Sequence, residues 1–170
     1  WLRSILVHVV RNPAAVTAVV DSGGVGVLVE MVTDPYHAES GLEALKTLSA
    51  SRRLCGKIAR DDVMRRILRS FVDTAGEVQL LLLDVLGNLV SGHGNARDVV
   101  LEDEKVLQTI REYFMSSDSN SAAQATASRI LCALVEHCED VIVLTRRWWL
   151  PFMLSCLENN DILRSITAKK

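Results

Sequence analysis

The chain has 170 residues, 49% hydrophobic, 24% charged and 5% aromatic, with a formal net charge of −2 at neutral pH. That length holds one ordinary domain or at most two, and the apolar share is ample for a core, which excludes an intrinsically disordered chain. The balanced charge excludes a globally basic nucleic-acid binder, and no apolar run approaches the ~18 residues of a membrane span. The apolar residues are mainly Leu, Val, Ala and Ile, a palette that suits helix-on-helix packing, so an all-α fold is expected. Trp1-Leu2-Arg3 opens straight into an apolar helical pattern with no signal-peptide layout. This start predicts a piece of a longer chain.

Leu2 to Val10 reads as the closing helix of a preceding unit. Asn12-Pro13 then opens a helix, because a proline in the first turn gives up an amide that would be unpaired anyway. Val19 to Gly24 is expected to be a turn, with Gly23 and Gly24 free to take positive φ. Val25, Leu28, Val29 and Val32 recur at helical spacing, and Thr33-Asp34-Pro35 leads into a longer helix carrying Leu42, Leu45 and Leu48. The pattern returns from Arg52, with Ile58-Ala59 closing a short helix, Val63 to Val72 a second and Leu80 to Val90 a third. A further copy runs from His93 to His137, with Asn95 near its start. Within it Glu102-Asp103-Glu104 suits a helix N-terminus, and the polar stretch from Ser116 to Ser121 is a turn with Asp118 or Ser119 as cap. The last copy starts at Cys138, with Leu150-Pro151-Phe152 opening its second helix and Asn159-Asn160-Asp161 as a turn. Leu45, Leu86 and Leu131 are equivalent positions, 41 and 45 residues apart.

The segment from Asn12 to Ser51 resembles an armadillo repeat: a short helix, a Gly-containing turn, a second helix, a Pro-containing turn and a long third helix. The resemblance covers almost the whole chain and implies a right-handed α-solenoid of about four three-helix repeats. Their bounds are 12–51, 52–92, 93–137 and a partial 138–170, after residues 1–11 of a preceding one. HEAT repeats are the alternative. It also implies a non-enzymatic scaffold or adaptor whose third helices form a concave groove for an extended peptide or another subunit. Two other roles stay open, a structural component of a cytoskeletal or axonemal assembly and a chaperone-type co-factor acting on Hsp70 or myosin.

In importin-like members of that family a Trp and an Asn four residues apart recur on helix 3, gripping lysine stems and peptide backbone. The Trp-like positions here are Glu43, Asp84 and Arg129, and the Asn-like positions are Thr47, Asn88 and Ala133. Only Asn88 matches, so a receptor for lysine-rich signals is disfavoured, since no aromatic wall exists for cation–π capture. Glu43, Thr47, Asp84, Asn88 and Arg129 are the groove candidates. Glu43 and Asp84 would attract a basic partner and Arg129 would oppose one.

A second cluster, Arg52, Arg53, Lys57, Arg60, Arg65, Arg66 and Arg69, is opposed locally only by Asp61 and Asp62. Arg65, Arg66 and Arg69 are read as outer-face residues, first as a solvated face of the first two helices and second as a contact for an acidic partner. Without interleaved aromatics, nucleic acid is disfavoured. Arg146-Arg147-Trp148-Trp149 adds Trp148 and Trp149 as candidate outer-face contacts, in a turn where the family carries small residues.

Cys55, Cys132, Cys138 and Cys156 are scattered without a CxxC pair. They are expected to be buried reduced thiols, in an intracellular setting that is cytoplasmic or cytoskeletal, with the nucleus open. His137-Cys138 with Cys132 has no second ligand pair, so no metal site is expected. No GxSxG, HExxH or phosphate-loop pattern occurs, and neither an enzyme nor a cofactor is expected.

Overall fold

In the computed structural model of the chain, residues 5, 8, 9, 12–32, 34, 36–116 and 121–136 are described. They are all-helical, with no strand among them. Nine helices run in chain order among the described residues. The first three are α1 (Pro13–Asp21), α2 (Gly24–Val32) and α3 (Ala38–Ser49), followed by α4 (Arg52–Ile58), α5 (Asp61–Asp73) and α6 (Gly76–Gly92). The last three are α7 (Gly94–Glu102), α8 (Glu104–Met115) and α9 (Ser121–Glu136). The chain divides into units Trp1–Leu134 and Val135–Lys170, and the second lies almost wholly outside the described residues. The expected closing repeat from Cys138, with Trp148 and Trp149, also lies outside them, as do Cys138, Cys156, Asp118 and Ser119.

Local chemistry accounts for the helix ends. α1 runs on to Asp21, so the first turn is shorter than the sequence pattern suggests. Only Gly23 adopts a positive φ, of 81°, while Gly24 is already helical and buried. The Ser22 hydroxyl donates to the Val19 carbonyl at 3.0 Å, satisfying an acceptor at the end of α1. Before α3, Asp34 accepts from the Tyr36 amide at 3.0 Å. Asp103 caps α8, its carboxylate accepting from the Lys105 and Val106 amides at 3.1 and 3.2 Å. Gly76 starts α6 at φ 65°, which permits a connection of only two residues from α5.

The helices fall into three successive triads. Within the first, α2 packs closely on α3; between triads, α1 packs on α4, α2 on α5, α3 on α6 and α5 on α8. The core is continuous through these contacts: Leu28, Leu42, Leu45, Leu48, Ile58, Met64, Ile67, Phe71, Leu82, Leu86, Leu89, Val106, Ile110 and Ile130 are all buried. Each such side chain contributes about 1.5–3 kcal/mol relative to exposure. On α9 Leu134, which stands where Leu48 and Leu89 stand on their helices, faces the core with Ala127 and Ile130, whereas Leu131, the counterpart of Leu45 and Leu86, is only half-buried.

Polar contacts between triads share one reach. The Asn95 side-chain amide donates to the Ala59 carbonyl across 36 residues. The Tyr113 hydroxyl donates to Gln79 Oε1 at 2.6 Å across 34 residues, and Gln79 Nε2 donates to the Phe71 carbonyl at 2.9 Å. One amide thereby joins α5, α6 and α8. Burial pushes the Tyr113 phenol above its ordinary value of 10.0.

Two glycine replacements should have opposite effects. Gly26 lies inside α2 without positive φ, and a Cβ there would meet nothing within 4 Å. Gly26→Ala should therefore raise stability by up to about 1 kcal/mol. Gly76 also has open space around it, but its φ of 65° penalises any Cβ, so Gly76→Ala should lower stability by about 1 kcal/mol. Urea midpoints for the two variants read the signs directly.

Candidate functional site

The third helix of each triad carries the groove candidates. On α3, Glu43 and Thr47 are exposed, and the Thr47 hydroxyl donates back to the Glu43 carbonyl at 2.8 Å. On α6, Asp84 and Asn88 are half-buried and already occupied. Asp84 pairs with Lys46 of α3 at 2.8 Å and accepts from the Thr126 hydroxyl of α9 at 3.2 Å. Asn88 donates to the Ser49 hydroxyl of α3 at 3.1 Å. The hydrogen bond it donates to Asp84 holds the Lys46 ammonium above its ordinary value of 10.5. Asp84 and Asn88 therefore hold α3, α6 and α9 together, and Asp84 is not a free anion for a basic partner.

Arg129 is exposed on α9, and Gly87 of α6 lets it lie close. A Cβ on Gly87 would come within 2.6 Å of the Arg129 guanidinium and 2.9 Å of the Thr126 methyl. Five residues on, Gly92 admits Cys55 of α4, whose Sγ would be 2.9 Å from a Cβ there. Between these two approaches lies a concavity of about 190 Å³, lined by Ser49, Arg52, Cys55, Asn88, Ser91 and Arg129 among others. Asn88 and Arg129 thus belong to one site, from which Glu43 and Thr47 are absent. Arg52 and Ser91 belong to it as well. Arg52 sits apart from the outer arginines because α4 begins three residues after the end of α3, which returns its first turn toward the third helices. That short spacing was the signal in the sequence; Ser91 left none.

The basic cluster is not the unopposed patch that local sequence suggests. Lys57 pairs with Asp21, Arg65 with Glu102 at 2.8 Å, and Arg66 with Glu30 at 3.4 Å. The acids come from the neighbouring triad, 36 or 37 residues away in sequence. Arg60 pairs with Asp62 at 3.5 Å. Arg65 and Arg69 also line a cavity of about 730 Å³ shared with Asp73, Glu102, Asp103 and Glu104, a mixed rather than basic surface. Each exposed pair stabilises by at most about 1 kcal/mol.

The two described cysteines differ. Cys55 is a buried free thiol that donates to the Ser49 carbonyl at 3.1 Å, and burial pushes it above its ordinary value of 9.0. Cys132 is free but exposed, contrary to expectation, because it lies two positions from both Ile130 and Leu134, on the far side of α9. A disulfide reagent at neutral pH should label Cys132 within the mixing time and Cys55 only after unfolding. Peptide mass mapping distinguishes them, and equal rates would contradict the burial of Cys55.

No single described helix is long and apolar enough to cross a membrane. No protein-family model and no curated protein matches the chain. Among solved structures, the chain is similar to the crystal structure of an engineered protein from the Northeast Structural Genomics Consortium. The likeness has a TM-score of 0.47 at 21% identity, covering 78% of this chain and 71% of that one.

Proposed function

We propose that the described triads are armadillo-type repeats of an α-solenoid, and that the protein is a non-enzymatic scaffold binding an extended protein segment along its third helices. One observation carries this reading: polar contacts between triads span 34 to 42 residues, one repeat length, from Gln79–Tyr113 to Asp84–Thr126. Repeats that contact only their neighbours generate extended surfaces. The third helices are bound to one another through Lys46–Asp84, Asn88–Ser49 and Thr126–Asp84, so the surface is ordered before a partner arrives. Such pre-organisation lowers the entropic cost of binding. With Asp84 engaged internally, recognition falls to the exposed Glu43, Thr47, Ser91 and Arg129, with Asn88 adding the amide hydrogen it does not give to Ser49.

A photo-crosslinking amino acid placed singly at Thr47, Glu43 or Arg69 tests the reading in cells. The expected result is one protein partner captured from Thr47 and Glu43 and not from Arg69. Capture from Arg69 alone would overturn the groove in favour of an assembly component held by its outer helices.

A further inference from the structure

The concavity at the meeting of α3, α4, α6 and α9 gathers two cations and no anion in its lining. Lys46, Lys57, Arg60, Arg65 and Arg66 each have a carboxylate partner. Arg52 and Arg129 are among the cations without an ion-pair partner among the described residues, and these two line one concavity of about 190 Å³ together. Its lining includes no Asp or Glu, and its floor is polar: Ser49, Asn88 and Ser91 supply hydroxyl and amide groups. The Ser49 hydroxyl donates to the Lys46 carbonyl and accepts from Asn88, so Asn88 keeps a second amide hydrogen for a ligand. Cys55 brings no competing negative charge, because its thiol is buried and stays protonated.

We propose that this concavity binds a phosphorylated serine or threonine side chain of an extended peptide partner. The inference deepens the groove reading and rests on it. Charge decides between oxyanions. Two guanidiniums are matched by one phosphate monoester, which carries about −1.5 to −2 at pH 7, whereas a carboxylate neutralises only one. The donor set agrees: the lining offers two guanidiniums, the Ser91 hydroxyl and the Asn88 amide to the three oxygens of a phosphate, and arginine suits such planar, paired donation. The volume is enough for one side-chain head group. The scaffold holds both walls, because Gly87 seats Arg129 against α6 and Ser49–Asn88 fixes α3 to α6.

The test uses the full 170-residue chain and short degenerate peptide libraries with one fixed phosphoserine, the same position as serine, or as glutamate. Phosphoserine peptides should be retained, serine peptides lost, and glutamate peptides held more weakly. Arg52→Ala or Arg129→Ala should each weaken phosphopeptide binding roughly tenfold or more. Ser91→Glu should abolish it by filling the concavity with an anion, and Arg69→Ala should leave it unchanged. Thermal melting of each variant separates loss of fold from loss of binding, and inorganic phosphate should compete. Retention of serine and phosphoserine peptides alike, or indifference to both arginine substitutions, would overturn the pocket. Crosslinks from Thr47 would then still support the groove, so the two readings fail separately.

Discussion

Phe71→Ala should remove about 3–5 kcal/mol of stability, the cost of deleting a buried aromatic ring and leaving its cavity. Phe71 is fully buried in the middle triad, and its ring lies 6.5 Å from that of Tyr113 on α8. Its carbonyl accepts from Gln79, which in turn accepts from Tyr113, so the ring sits beneath the amide that ties three helices. Against a typical total of about 5–15 kcal/mol, such a loss is a large fraction. Urea unfolding should show a much lower midpoint. If the triads form a linear stack, the transition should also broaden, because the middle triad couples its neighbours. Tyr113→Phe keeps the ring and removes only the hydroxyl, so it should cost about 1 kcal/mol. Equal losses from the two variants would show that packing at Phe71 is not the dominant contact.

Gly41→Val is the second severe case. At Gly41, α3 approaches α2 so closely that a Cβ would lie 2.8 Å from the Met31 Cβ and 3.2 Å from the Leu28 carbonyl. Both atoms belong to or adjoin helix backbone, so neither can swing aside. Alanine gains about 1 kcal/mol of helix propensity but meets an overpacking cost of about 1–3 kcal/mol. Valine adds two methyl groups to the same gap and should lose roughly 3 kcal/mol or more. The expected order of urea midpoints is glycine, then alanine, then valine. A midpoint raised by Gly41→Ala would show that α2 and α3 are farther apart than described.

Helices were legible in the sequence because their signals are local. Pro13, Gly23 and the spacing of Leu42, Leu45 and Leu48 each act within a few residues, and Asp103 announces α8 from three residues away. The site was legible only in part. Asn88 and Arg129 were recognisable by position on the third helices, but the partners of Asp84 and Asn88 depend on how α3 crosses α6. The basic cluster was misread for the same reason. Its acids stand 36 or 37 residues away, outside any window in which charge is ordinarily weighed. Arg52 was grouped with the other basic residues, since composition does not reveal where a chain reversal sends the first turn of α4. On α9 the leucine register holds at Leu134 and slips at Leu131, and Cys132 faces outward, because Ala127 and Ile130 take the core positions.

The reach of the cross-contacts, one triad, bears on how the chain acquires its structure. Among the described residues the polar partners in neighbouring triads lie 34 to 42 positions apart, so these contacts do not wait for the far end of the chain. Contact order is low for its length, which favours rapid formation of structure. At about 5–20 residues per second of synthesis, a new triad of ~41 residues leaves the ribosome roughly every 2–8 s and meets a completed neighbour on which to settle.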